Sequence, residues 1–366
     1  MRQRMREMDF IRAISALSIV LIHITGVYTY TSRGAYYINQ LARFAVPVFI
    51  LISGLLLPLS GRDFTGITGY LKFLSKRLKK LLMPYFIWSI IYILINIRND
   101  LAPVFSNPID FLLGTGRKLL YGTGHIHLYF IIIILQLYFL FPILNYMMKR
   151  WSRAVLTFSF ILTLVYQTGI YLHLMKIITF PVILLPNYIF FPTWIFYFVF
   201  GMYFAGNLEV WKNRIKNRSV LLAIIWAASF VILIVDSKYT NTFSSSIKPS
   251  VMLYSMTTFL FMYSAALKLT DIKLHMLKIL DWVSCQSFLI YLSHLLVMKI
   301  IIILSRQTAN TGLWTGFTGL LVLYAATIIG TCFFAYAVSF TPFASMLGGV
   351  NKIKVKSPTV TKDISM

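Results

Sequence analysis

Asp9, Arg12 and His23 stand within fifteen residues of one another in an otherwise apolar stretch. On a helix the eleven-residue step from Arg12 to His23 turns by about 1,100°, some 20° from three full turns, so the two side chains share one face. That face is roughly 16 Å long at about 1.5 Å rise per residue. An imidazole placed there can stay neutral and take a proton near pH 7, which is the work of a general base. The same residues allow a structural reading, in which Asp9 and Arg12 anchor the helix at an interface and His23 hydrogen-bonds a neighbouring backbone.

Other residues are equally out of place in an apolar chain. Arg43 precedes a run containing Pro47, Ser53 and Gly54, where the proline frees a backbone carbonyl and the small residues permit close helix approach. Arg43 itself can hold a polar acceptor or snorkel to headgroups. Residues 66–80 set Tyr70, Phe73, Leu74 and Leu78 against Lys72, Lys76, Lys79 and Lys80 at helical spacing, the pattern of an interfacial basic helix. Such a helix attracts anionic lipid or seats a polyanionic ligand, with Arg77 and Lys80 spaced to clamp a phosphate. His125 and His127 have no Asp, Glu or Cys nearby to complete a metal site, so no metal is expected. Tyr291 and His294, three apart near mid-membrane, read either as interhelical glue or as a working polar pair. His173 and His275 read as solvated loop residues, and Cys285 and Cys332 as small apolar fillers with no CxxC motif. None of the ten carboxylates falls in the middle of a span, unlike the relays of proton-coupled transporters.

The elements that must position these residues follow from composition. Of 366 residues, 58% are hydrophobic and only 12% charged, with a mean hydropathy of +0.78, which excludes an ordinary soluble domain. Ten apolar windows can be drawn, at about 10–30, 41–60, 81–97, 127–148, 154–171, 192–208, 219–235, 250–267, 283–304 and 313–340. The prolines of 174–192 point to an outer, partly re-entrant loop. The formal charge of +24 falls between the windows, which disfavours nucleic acid as a partner and marks one side of a membrane. With the N-terminus inside, 23 of the 34 Lys and Arg lie on the cytoplasmic side, eight outside, and Arg12, Arg43 and Lys299 within helices. The basic N-terminus lacks an A-x-A cleavage site and reads as the front of a retained first helix. The expectation is an all-α integral membrane protein of about ten transmembrane helices with both termini cytoplasmic. Residues 1–340 form the membrane domain and 341–366 a basic cytoplasmic tail.

Five segments in order resemble the acyltransferase 3 family of integral membrane acyltransferases. They are Asp9 to Arg12 followed by His23, Arg43 to Gly54, the basic run from Lys76 to Tyr85, His127 to Phe130, and Ser287 to His294. Many members carry a Glu-Glu-Gln in the fourth helix; here Ile134 and Leu135 replace the acids and Gln136 remains. That departure is similar to the branch containing the membrane protein of biofilm poly-N-acetylglucosamine loci, some of whose relatives are described as exporters. The resemblance implies a multi-pass protein of a bacterial cytoplasmic membrane that transfers an acyl group, commonly acetyl, to a hydroxyl of an envelope glycan or lipid-linked sugar. The donor would be cytoplasmic acyl-CoA, a co-substrate rather than a bound cofactor. In that scheme His23 is the catalytic base, Arg12, Arg77 and Lys80 hold the CoA phosphates, and Arg43, His127, Tyr291 and His294 hold the acceptor or the developing oxyanion. The rival is a polysaccharide exporter or flippase whose polar residues line a path without covalent chemistry.

Overall fold

The computed structural model describes residues 5–60, 66–98, 102–182, 185–269, 275–305 and 314–351. The described residues form helices and their connections, with no β-strand. In order they are α1 (Arg6–Tyr28), α2 (Arg33–Leu41), α3 (Ala45–Leu56), α4 (Gly66–Ile97), α5 (Ala102–Ser106), α6 (Pro108–Tyr121) and α7 (Tyr129–Leu174). There follow α8 (Ile195–Gly206), α9 (Leu208–Lys216), α10 (Ser219–Tyr239), α11 (Pro249–Leu269), α12 (His275–Ser305) and α13 (Gly316–Ser339). Eight helical stretches are long and apolar enough to cross a bilayer. One of them, α7, holds two of the expected windows, because Trp151 leaves helical geometry (φ −136°, ψ 47°) and splits it into two arms. The window at 192–208 falls on α8, an apolar helix of 12 residues. The protein is thus an all-α, multi-pass membrane protein.

Helix α1 lies at the centre, packed on α2, α3, α11, α12 and α13. The closest approach is between α3 and α8. A Cβ on Gly54 would lie 2.0 Å from the Phe198 carbonyl oxygen, and one on Gly201 would lie 2.1 Å from the Leu51 carbonyl oxygen. Each glycine therefore accepts the other helix's backbone, the small-residue contact that drives association where lipid is as apolar as leucine. At the periphery α10 turns Val220, Leu221, Ile224, Val231 and Val235 outward, apolar surface that hydrocarbon solvates without cost.

Four local expectations are corrected. Pro47 does not kink a helix: α2 ends, a 3₁₀ turn spans Ala42–Phe44, and Pro47 falls in the first turn of α3, where its missing N–H would be unpaired anyway. Residues 66–80 are not a separate interfacial helix but the first half of α4, which continues through Pro84 for 32 residues. At about 1.5 Å per residue it outruns a hydrocarbon core of about 30 Å, so its basic half extends beyond the apolar layer. Residues 341–351 are not a free tail, since Leu347 O accepts from Trp88 Nε1 at 3.1 Å and Gln286 pairs with both backbone groups of Val350 at 2.9 Å. The turn that returns them uses Gly348 at φ +91°, the left-handed region that glycine adopts without strain. The rest of that segment, 352–366, lies outside the described residues.

The fourth concerns Lys248, expected as an outer loop cation. It is 0% exposed and pairs with Asp236 at 2.9 Å. Burial pushes its ammonium below the ordinary range, and the adjacent carboxylate opposes that shift. Asp236 also accepts from Ser250 Oγ at 2.6 Å and from the Tyr171 hydroxyl, so one carboxylate ties α7, α10 and α11 together. In the 174–192 segment Ile189 and Phe190 are buried, whereas Leu174, Ile177, Ile178 and Val182 are exposed.

Two outcomes follow. In a background with Cys285 and Cys332 replaced by serine, an impermeant maleimide on intact cells should label a cysteine at Lys118, exposed on α6, and spare one at Lys79; the opposite pattern inverts the topology. Lys248→Met strands the Asp236 carboxylate, and breaking a buried pair costs about 3–5 kcal/mol. The low end is expected, because the Asp236 side chain keeps 20% exposure. Thermal unfolding of the purified protein should show a loss that Asp236→Asn partly restores in the double variant.

Candidate functional site

Two cavities lie in line along α1. The larger, about 660 Å³, is lined by Arg12 of α1, Arg77 and Lys80 of α4, Tyr138 of α7, Cys285 and Ser287 of α12 and the returning segment at 342–351. Arg12 is held 3.7 Å from Asp9, whose carboxylate also accepts from Ser284 Oγ at 2.8 Å. The Arg77 guanidinium lies 5.8 Å from the Phe73 ring, and its Nε is buried without a hydrogen-bond partner among the described residues. The three cations that sequence spacing singled out on two helices thus share one chamber. Cys285 is exposed in the same chamber and is not an apolar filler.

The second cavity, about 300 Å³, is lined by His23, Arg43, His127, Tyr129, Tyr188 and the loop 244–247. It meets the first at Ile19, Phe130 and Tyr291, which line both. Arg12 and His23 share a face of α1, as the spacing requires, but open into different chambers.

Three histidines converge beside this junction. The His23 ring centroid is 5.2 Å from that of His294 and 6.3 Å from that of His127, and His127 and His294 are 5.3 Å apart. His294 Nδ1 lies 2.7 Å from the Tyr291 carbonyl oxygen. A carbonyl can only accept, so Nδ1 carries the proton and Nε2 keeps its lone pair. That Nε2 is buried without a hydrogen-bond partner, as is His127 Nε2. The Tyr291 hydroxyl donates to the His127 backbone carbonyl, which locks the ring at the junction. His23 is half-buried and lines the cavity, whereas His294 is 0% exposed and lines neither cavity. His294 is therefore behind His23, not against a ligand, which corrects its expected place. Among the described residues no group of three or more His, Cys, Asp or Glu is arranged to hold a metal.

Arg43 does not snorkel. It is 7% exposed, and donates to Ser244 O at 2.6 Å, Ser246 Oγ at 3.2 Å and Asn39 Oδ1 at 2.6 Å. Asn39 in turn donates to Ile22 O at 2.9 Å and Thr25 Oγ1 at 2.8 Å, on the turn of α1 that carries His23. Sequence reasoning left His125 unassigned; its ring stacks on Tyr92 at 4.3 Å and its Nδ1 lies 3.2 Å from His127 Nδ1. Gln136, the survivor of the Glu-Glu-Gln, donates to Ile189 O at 2.8 Å and accepts from Phe191 N at 3.1 Å. It fastens the chain at Ile189 and Phe191, a role the retained amide could have suggested.

The acyltransferase 3 family profile, described as an acyltransferase domain, matches residues 5–336. Among curated proteins, the chain is 27% identical over 314 residues to the "Probable poly-beta-1,6-N-acetyl-D-glucosamine export protein" of Staphylococcus aureus strain MSSA476, covering 80% of this chain and 82% of that protein. It is also 27% identical over 317 residues to the "Putative membrane-bound acyltransferase YfiQ" of Bacillus subtilis strain 168, covering 81% and 82%. No solved structure matches the chain. A family match that takes in α1 with both its cavity-facing residues, and runs on through the helix of His294, makes this chain a member of the acyltransferase 3 family of membrane acyltransferases.

Proposed function

We propose that the protein transfers an acyl group, in the first instance acetyl, from cytoplasmic acyl-CoA to a hydroxyl of an envelope glycan or lipid-linked sugar, in the cytoplasmic membrane of a bacterium. The observation that carries this reading is the meeting of a cationic chamber with a histidine-bearing chamber at Ile19, Phe130 and Tyr291. Arg12, Arg77 and Lys80 suit the phosphates of CoA, and the pantetheine arm is long and thin enough to bring a thioester up to the junction. The acceptor hydroxyl would come from the other chamber. Its oxygen attacks the thioester carbonyl carbon while His23 takes its proton; the C–S bond then breaks and the thiolate receives that proton. Ester and free thiol are the products, and nothing else is consumed. His294 acts through His23, its ring 5.2 Å away where an imidazolium would develop, and Arg43 and His127 serve the oxyanion or the acceptor. The printed name of the Staphylococcus aureus relative suggests poly-β-1,6-N-acetylglucosamine as the glycan. The same in-line chambers also suit an exporter, which would need no His23 chemistry.

His23→Ala should leave the protein inserted and able to bind acetyl-CoA, yet lower acyl transfer by about 10²- to 10⁴-fold, the usual cost of losing a general base. Transfer is read with labelled acetyl-CoA and purified protein in lipid discs. A loss below tenfold removes His23 from the chemistry. Mass spectrometry of envelope glycans from cells with and without the protein gives the wider test: no acyl mass shift, with export dependent on the protein, favours the exporter. Replacing Arg77 and Lys80 together with alanine should weaken acetyl-CoA binding and flatten its salt dependence, measured by titration calorimetry between low and high salt. An unchanged affinity returns those residues to lipid anchoring.

A further inference from the structure

A third cavity, about 490 Å³, adjoins the histidine chamber and shares Tyr188, Ser244, Ser245 and Ile247 with it. Its remaining lining includes His173, Asn187, Asn241 and Thr242, with Pro186 and Val182. No Lys, Arg, Asp or Glu lines it. The contrast with the cationic chamber is one of charge: amides, hydroxyls and one imidazole are set in a mostly apolar wall, which suits the hydroxyl groups and apolar ring faces of a neutral sugar and gives an anion no fixed cation to pair with.

Asn187 Oδ1 is buried and has no hydrogen-bond partner among the described residues. Asn187 lines the cavity, so a turn of its side chain would bring that unpaired acceptor against a ligand hydroxyl. Tyr188 is 37% exposed and presents an amphipathic ring at the boundary between the two cavities, 6.0 Å from the Tyr129 ring. The walls are also held in place before any ligand arrives. One wall follows Tyr171 and the other runs from Thr242 to Ile247, and the Asp236 carboxylate binds both, through the Tyr171 hydroxyl and through Lys248. Lys248 also donates to Thr242 at 3.3 Å, and Arg43 holds Ser244. Such preorganisation lowers the ordering cost of binding.

We infer that the second and third cavities form one groove that binds a neutral saccharide chain over more than one sugar unit, with the reacting unit beside His23 and its neighbours against Asn187, Tyr188 and Asn241. A 300 Å³ chamber is at the low end for a single small ligand, so the adjoining 490 Å³ is room for further units. The inference rests on the glycan-acceptor reading above and adds to it a set of subsites beyond the reacting unit, at Asn187, Tyr188 and Asn241.

The test uses purified full-length protein and β-1,6-linked N-acetylglucosamine oligomers of one to five units, with affinity measured by calorimetry. Affinity should rise at least tenfold from monomer to trimer. Asn187→Ala and Tyr188→Ala should each remove most of that gain while acetyl-CoA affinity, which reports folding, is retained. Asn241→Gly, which suits that residue's left-handed backbone (φ 51°), provides a further variant of the outer part. Affinity that does not grow with length overturns the groove, whether or not monomers are acylated. Equal binding of the de-N-acetylated, cationic oligomers overturns its neutral character. Length-dependent binding of the neutral series without any acyl transfer keeps the groove and removes the transfer reading, so the two fail separately.

Discussion

A charged group taken out of water has to be paired, and the polar network beside the histidine chamber is built on one ion pair at the end of α10. Lys248 and Asp236 are joined at 2.9 Å, and the spare protons of the ammonium go to Ser237 at 2.7 Å and Thr242 at 3.3 Å. Ser237 passes a hydrogen bond to Gln40, and Gln40 donates to Phe243 O. One loop further along, Ser244 and Ser246 take the Arg43 guanidinium, whose other end grips Asn39, and Asn39 closes on α1 at Ile22 and Thr25. The polar seam therefore runs from the end of α10 to the residue preceding His23. The pair is thus linked, through the 242–246 loop that lines the histidine chamber and through Arg43, to the turn of α1 that carries His23.

That seam explains which parts of the molecule were legible in advance. Apolar length and the distribution of Lys and Arg are local properties, so the windows fell on apolar helices, and the Arg12–His23 spacing placed both on one face of α1. Gly54 likewise announced a close contact, although not that Gly201 would answer it. Pairings across the chain were not legible. Arg43 meets Ser244 across 201 residues and Ser237 meets Gln40 across 197, and no periodicity carries such information. For that reason Lys248 read as an ordinary loop cation and Asp236 as a helix-edge carboxylate. His294 was found by type and place, but its burial behind His23 depends on how α12 packs on α1, which only the assembled bundle determines.

Where the family often has two acids, Ile134 and Leu135 give the fourth span an apolar face, with Ile134 lining the cationic chamber. The loss of negative charge there leaves Arg12, Arg77 and Lys80 without carboxylate competitors on that wall. An anionic donor would meet a more positive chamber than an acidic pair allows. Gln136 keeps the structural half of the motif by fastening Ile189 and Phe191. The departure therefore changes the electrostatics of the chamber and preserves the architecture around it.

The junction between the chambers has to satisfy two opposed requirements. A membrane protein with a water path from one face to the other would leak protons and solutes, and Ile19, Phe130 and Tyr291, which line both chambers, stand where such a path would run. Phe130 and Tyr291 are packed edge to face at 5.5 Å, and the tyrosine hydroxyl is tied to the His127 carbonyl, so moving the ring costs a hydrogen bond. The proposed transfer needs only a two-carbon group and its thioester to reach that point, with the bulk of the donor left in the cationic chamber and the acceptor in the other. An exporter would instead move whole sugar rings from one chamber to the other past these residues. The residues shared by the two chambers therefore set what can cross between them, and the proposed transfer asks only that a thioester carbon and a hydroxyl meet there beside His23.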